Sequence, residues 1–414
     1  MRVEVIDNYE FDLSNSVLRT ELDCLEFDSS LLGSDYGKGA IVLDDDMQVL
    51  PMVSEWLSYE VRYNKMGIGT AKTYGKNISY FLNYLHNIPL FKKHKQDDAF
   101  FDVEVHTILE YNTYLKDQLG LATTTIRNRD ATLMNFFNNF LCDSRGNKPS
   151  LREDNPYDDG LISASAKSKL VEMCSVDELI GLLLSTKSER ERCLIQFIYD
   201  SGVRRSEVCT ISKDQFTNSL NFERKVLILD DNTISLPSNY KPFFINGVKG
   251  RRRETKPRNT IVSDHSLMRV KRYHSSPLYR KNSRKFGGNP PAFLNAEGGR
   301  YTPSAISKLL QRLSKRALKR GYIKRPIHPH MMRHGFAGSV LRSPDLGKDA
   351  VERLMTVQLC LGHAFLSTTQ VYTSLPYDLY GHLCNEDGEV LTRHEIMELV
   401  NKRTKLKIDL RATK

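Results

Sequence analysis

The stretch "HPHMMRHGFA", His328–Ala337, puts three histidines and an arginine within seven residues. His330 and His334 stand four apart, so a helix carries both on one face. That is also the spacing of a zinc pair. The H-E-x-x-H pattern, however, needs an acid after the first histidine, and Met331 stands there. Spacing supplies no third ligand, and no cysteine lies near. His330 and Arg333 are three apart, again on one face. An arginine offers a fixed fork of donors and a histidine a proton near neutral pH, so the pair suits a phosphate. His334 reads as a brace for the helix through a buried hydrogen bond. Whether the stretch is a metal site, a phosphate site or a decorated helix start depends on what else the chain carries.

Two other segments bear on it. "SGVRRSEV", Ser201–Val208, places Arg204 just after a helix-ending glycine, Gly202, with Glu207 three residues on in a new helix. "LGHAFLSTTQVYTSL", Leu361–Leu375, places His363 nine residues before Tyr372, with Thr368 and Thr369 between.

Composition sets the frame. A chain of 414 residues is long enough for two or three domains. Apolar content of 40% and charged content of 27% are ordinary for a globular protein. No run of eighteen apolar residues marks a membrane span, and the acidic start "MRVEVIDNYEFD" is no signal peptide. Seven cysteines without a C-x-x-C pair point to reduced thiols and a cytoplasmic location. The net charge of +10 hides an asymmetry: residues 1–50 carry 3 Lys/Arg against 12 Asp/Glu, net −9, so the rest carries +19. Between Lys241 and Lys285 there are 14 Lys/Arg and only two acids, Glu254 and Asp264. Such an excess points to a polyanionic partner, most simply nucleic acid.

Periodicity divides the chain. Residues 1–50 read as an acidic extension with little helix. Residues 51–145 hold four amphipathic helices, in "MVSEWLSYEVRYN", "GTAKTYGKNISYFLNYLHNI", "FDVEVHTILEYNTYLKDQL" and "TTTIRNRDATLMNFFNNFL", enough for a bundle. Two of their starts mix hydroxyls and cations: Thr70, Lys72, Thr73 and Lys76, then Thr124, Thr125, Arg127 and Arg129. Such starts suit phosphate, and equally suit ordinary capping with a solvated face. Residues 146–174 are polar with Gly, Pro and Ser, and read as a linker. At 175 the capping box Ser175–Glu178 opens a second domain, 175–414. Its helices include "ERERCLIQFIYDSG", "TPSAISKLLQRLSKRALKRG", "DAVERLMTVQLCLG" and the tail "RHEIMELVNKRTKLK". Its strands are "KVLILD", "NTISLP", "FFING" and "NTIVS". The expected fold is mainly α with a small antiparallel β-sheet.

The order Arg204, then H-x-x-R-H, then L-G-H with a tyrosine nine residues on closely resembles the tyrosine recombinase (phage integrase) family, over about residues 52–380. The resemblance implies a SAM-like, helical core-binding domain and an α+β catalytic domain, joined as a clamp on DNA. Tyr372 matches the nucleophile that forms a 3′-phosphotyrosyl link. Arg204 and Arg333 match the arginines that clamp the non-bridging phosphate oxygens, as fixed donors for the charge that builds at phosphorus. His330 matches the histidine in proton transfer near the nucleophile, and His363 a phosphate hydrogen-bonding position. Glu207 matches an acid that orients this cluster.

A hairpin lysine completes the set, as acid toward the leaving 5′ oxygen. Here the chain departs from the compact G-K-G pattern with "GVKGRRRETKPRNTIV"; Lys249 fits best and Lys256 competes. The adjoining Arg251, Arg252 and Arg253 are expected on DNA.

The resemblance implies no metal and no other cofactor. Implied partners are double-stranded DNA at specific sites, four protomers in a synapse, and accessory DNA-bending or directionality factors, without a membrane. A bacterial or phage source, nucleoid association and service to a mobile element follow as expectations. The tail helix is a candidate for docking on a neighbour or on its own domain. Three alternatives stand beside this: a type IB topoisomerase, which rejoins the original strand; a non-catalytic DNA-binding regulator; and a zinc hydrolase, which EDTA would inhibit.

Overall fold

A computed structural model describes residues 1–6, 39–94, 96–145, 149–165, 171–223, 226–229, 232–235, 237–247, 257–363, 366–370, 372, 383–384 and 387–405. The chain divides near residue 168 into two compact units. Both are built mainly of helices, and the described residues form small antiparallel sheets of two strands each, as the sequence predicts.

The first unit is a helical bundle with a strand pair set into it. β1 (Arg2–Ile6) pairs with β2 (Gly39–Leu43), Val3 opposite Val42. The helices are α1 (Pro51–Arg62), α2 (Ile68–His86), α3 (Val105–Asp117) and α4 (Thr123–Phe136), the last prolonged by a π turn, Phe137–Leu141. Proline at the first position of α1 costs no hydrogen bond there. Trp56 is fully buried, stacked on Tyr74 at 5.8 Å and tilted against Phe136 at 5.0 Å. Val3, Ala40 and Val42 join the same core. The described ends of the acidic extension therefore belong to the bundle.

Much of the stretch read as a linker also lies on this unit. Asp130, fully buried, accepts from Tyr157 Oη at 2.9 Å and from the Ser163 backbone N–H at 2.7 Å. Arg152 Nη1 donates to the Phe100 carbonyl at 2.8 Å. Gly, Pro and Ser forecast irregular backbone, and irregular backbone packs well where a buried carboxylate satisfies its N–H groups.

The second unit contains α5 (Val176–Leu184), α6 (Glu189–Ser201), the short α7 (Arg205–Val208), α8 (Lys213–Leu220), the hairpin β3 (Val226–Leu229) and β4 (Asn232–Ser235), the hairpin β5 (Tyr240–Ile245) and β6 (Arg258–Ser263), α9 (Asp264–His274), α10 (Pro277–Ser283), α11 (Pro303–Lys319), α12 (Pro329–Arg342), α13 (Ala350–Leu361), α14 (Leu366–Gln370) and α15 (Arg393–Arg403). The Ser175–Glu178 capping box forms at the start of α5. α6 is buried along its length from Glu191 to Ser201 and is the spine of the unit. α12 packs on α6, and α13 packs on α12 and β6.

The tail helix α15 packs on its own unit. Met397 and Val400 enter the core. Arg393, fully buried, pairs with Asp200 Oδ1 at 2.5 Å and reaches the Asp200 carbonyl. Among the described residues, no helix is long and apolar enough to cross a membrane.

Candidate active site

The site forms where two helices end. α6 closes at Gly202 and α13 at Gly362, both left-handed, with φ of 63° and 64°. That conformation suits glycine and turns the last carbonyls out of the helix. Arg333, on the first turns of α12, reaches across both ends. Its Nη1 donates to the Gly202 carbonyl and its Nη2 to the Leu361 carbonyl, each at 2.5 Å. The negative ends of two helix dipoles thus hold one buried cation. Burial, and then the charges of Arg204 and Arg258, bring its pKa down to about 9.

Arg204 stands at the start of α7. Its backbone N–H donates to Glu207 Oε2 at 2.7 Å and its Nη1 to Oε1 at 3.0 Å. Glu207 is buried and shared. Arg258, the first residue of β6, grips the same carboxylate with Nη1 at 2.6 Å and Nη2 at 2.7 Å, and its Nε donates to the Cys360 carbonyl at 2.8 Å. Burial would raise the Glu207 carboxyl, but the hydrogen bonds and charge of Arg258, then those of Arg204, hold it at about 2. Two guanidiniums therefore grip one carboxylate and a third, Arg333, feels its charge, a local surplus of positive charge.

Tyr372 lies in the turn after α14, its backbone N–H on the Thr369 carbonyl at 3.0 Å. Its hydroxyl is 2.8 Å from His334 Nδ1. Burial raises its pKa, while Arg333 and Arg204 pull it back. The ring lies nearly parallel to His363, 6.4 Å between centroids. Arg333 Nη2 approaches His363 Nε2 at 3.5 Å, which leaves the ring proton on Nδ1, 3.0 Å from the buried Thr369 Oγ1. His330 stacks on His334 at 6.0 Å. Burial first, and neighbouring cations second, lower all three histidines; His334 and His363 fall to about 4. A cleft of about 930 Å³ opens beside Arg204, His330 and Arg333, with Ser307, Gln311 and Lys315 of α11 along it.

The sequence-derived residues Arg204, Glu207, His330, Arg333, His334, His363 and Tyr372 thus gather in one place. His334, expected to brace its own helix, instead meets the tyrosine hydroxyl. Arg258 escaped the sequence reading. It lies in the long basic run and follows a proline, and since β6 is buried at every position from Thr260 to Ser263, no alternation sets it apart. Lys249, Lys256, Arg251, Arg252 and Arg253 lie outside the described residues.

In the first unit, Asn77 of α2 bonds to Asn128 of α4 at 3.0 Å. Lys72, Thr73, Lys76, Thr124 and Thr125 are exposed on these helices. Arg127 is tied to the Ser163 carbonyl at 3.0 Å, and Arg129 lies over the Tyr80 ring at 4.2 Å.

Residues 168–378 match the phage integrase family. The chain is 27% identical over 310 residues to tyrosine recombinase XerD of Oceanobacillus iheyensis, spanning 73% of this chain and 86% of the relative. Its fold is similar to that of the XerH site-specific recombinase bound to its palindromic difH substrate, with TM-score 0.51, 21% identity, and coverage of 75% of this chain and 78% of that one. It is also similar to the Tn1549 transposon integrase in complex with a circular intermediate DNA, with TM-score 0.52, 18% identity, and coverage of 84% and 99%.

Proposed function

The chain belongs to the phage integrase family, and on that premise we propose that it is a site-specific recombinase that cuts and rejoins double-stranded DNA through Tyr372. The observation that carries this is the cage of Arg204, Arg258 and Arg333 around a single acid, with the Tyr372 hydroxyl and His363 beside it. Three cations against one carboxylate leave a surplus of two positive charges, which suits a phosphodiester and the further negative charge that builds on it in the transition state.

Tyr372 Oη attacks the scissile phosphorus, and the bond from phosphorus to the 5′ oxygen breaks. Arg204 and Arg333 hold the non-bridging oxygens as charge builds on them, and His363 Nε2 donates as well once the bound phosphate raises its pKa and protonates it. Because burial keeps the phenol protonated, it needs an acceptor. Its proton passes to the histidine pair, His334 at the hydroxyl and His330 stacked behind it. The leaving 5′ oxygen takes a proton from the hairpin lysine, Lys249 in preference to Lys256. The 3′-phosphotyrosyl bond conserves the ester's energy, so a 5′ hydroxyl from a second duplex reverses the step without ATP. Two such rounds, through a four-way junction held by four protomers, exchange the duplexes. Lys72, Thr73, Lys76, Thr124 and Thr125 contact backbone phosphates. Arg127 and Arg129, already engaged within the protein, support that surface. A mobile element or phage is the proposed setting, with accessory factors that set direction.

The product decides between strand exchange and its relatives. DNA from the flanks of the protein's own gene is placed on two plasmids and incubated with the full chain in EDTA. The expected product is a recombinant joining both plasmids, absent with Tyr372→Phe. Relaxation of single plasmids without exchange is topoisomerase behaviour. Binding without any cleavage is that of a regulator.

A further inference from the structure

Arg258 turns its guanidinium inward, onto Glu207 and the end of α13. Only 8% of its side chain is exposed, against 32% for Arg204. It spends Nε, Nη1 and Nη2 on protein oxygens at 2.6 to 2.8 Å, so it keeps no side of its fork for a substrate. The partners it chooses are the ones that set the others. Glu207 receives four N–H bonds, two from Arg258 and two from Arg204, which fills its carboxylate. Cys360 stands one residue before Leu361, whose carbonyl holds Arg333, and three before His363. A Cβ on Gly362 would come within 2.7 Å of Arg258 Cδ, so the glycine of L-G-H also clears a path for this side chain.

We propose that Arg258 is a positioning residue of strand cleavage, a role that rests on the reading above. Through Glu207 it fixes the Arg204 fork, and through Cys360 it fixes the helix end that presents His363 and anchors Arg333. Without it, the Glu207 carboxylate loses its bidentate partner and turns fully onto Arg204. That draws the Arg204 donors away from the phosphate. A lysine restores the charge but not the fork, since an ammonium cannot bond two carboxylate oxygens and a carbonyl in one plane.

The test uses the full chain and a nicked suicide duplex from which the leaving strand diffuses away, so that covalent complex accumulates. Two versions are compared, one with a normal scissile phosphate and one with a neutral methylphosphonate there. On the phosphate, Arg258→Ala should form complex on the order of a hundredfold more slowly than wild type, the scale for losing a fixed donor to a charged transition state. Arg258→Lys should recover part of that loss. Affinity for uncleaved duplex should change by less than about threefold, because a buried arginine neutralises no DNA phosphate. On the methylphosphonate, which has no charge for Arg204 to balance, the gap between wild type and variant should shrink to about threefold or less.

Equal slowing on both substrates means a general structural loss and overturns the proposal, as does an Arg258→Ala that cleaves like wild type. If Arg258→Ala does not fold, Arg258→Lys carries the same two-substrate comparison. A wild-type protein that forms no covalent complex on either duplex overturns the strand-cleavage reading itself.

Discussion

Arg333 is a cation with almost no water around it. Two helix carbonyls and one histidine nitrogen replace its hydration, and two other arginines stand close by. A buried charge is tolerated only with such partners. Their arrangement leaves the cage electrically incomplete, and the histidines register this. His334 and His363 titrate at about 4 in the free protein, because burial and nearby cations both disfavour a further positive charge. Two consequences follow with opposite signs. The unfolded chain takes up these protons near pH 6.5 and the folded one only near 4. Stability is therefore full above about 6.5 and falls as pH drops through that window. A bound phosphodiester brings negative charge and should raise both midpoints. Histidine NMR titration of the free chain should place them well below 6.5, and addition of an uncleavable duplex should move them up. Midpoints that ignore the DNA contradict a phosphate site.

At the scale of elements, the site depends on where helices stop. Gly202 and Gly362 end α6 and α13 in the left-handed conformation, and each exposes a carbonyl to Arg333. Gly362→Ala adds backbone strain of roughly 1–2 kcal/mol and drives a methyl group toward Arg258. Urea unfolding should show a loss of that order. Cleavage at full folding should fall further, because Arg258 and the His363 segment shift together. A variant as active as wild type per folded molecule would show that the helix end does not set the chemistry.

These ends were legible in the sequence: a glycine follows each periodic run, with Arg204 two residues after the first and His363 directly after the second. The Ser175–Glu178 cap was legible for the same local reason. Pairings between distant elements were not. Nothing near Arg258 in the chain announces Glu207, fifty-one residues away, or the Cys360 carbonyl. Nor does helical spacing say that His334, rather than His330, meets Tyr372.

At the scale of the whole molecule, charge and packing told different things. The acidity of residues 1–50 suggested a separate extension, yet Val3, Ala40 and Val42 help form the bundle core. Net charge counts surface groups, whereas membership of a core is decided by the few apolar ones between them. The polar run after 145 misled in the same way, since a buried carboxylate, Asp130, holds residues 157 and 163. By contrast, the three separated segments that carry Arg204, Arg333 and Tyr372 stand out by their order, because each holds residue types suited to phosphate chemistry.

The central claim is that one phenolic oxygen attacks phosphorus inside that cage. Its most direct measurement is mass spectrometry of the covalent product formed by the full chain on a suicide duplex, after digestion of protein and DNA. The account requires a 3′-linked phosphodiester on Tyr372 and a free 5′ hydroxyl on the released strand, both absent with Tyr372→Phe. A link to any other residue, or a 5′-linked phosphate, would contradict it.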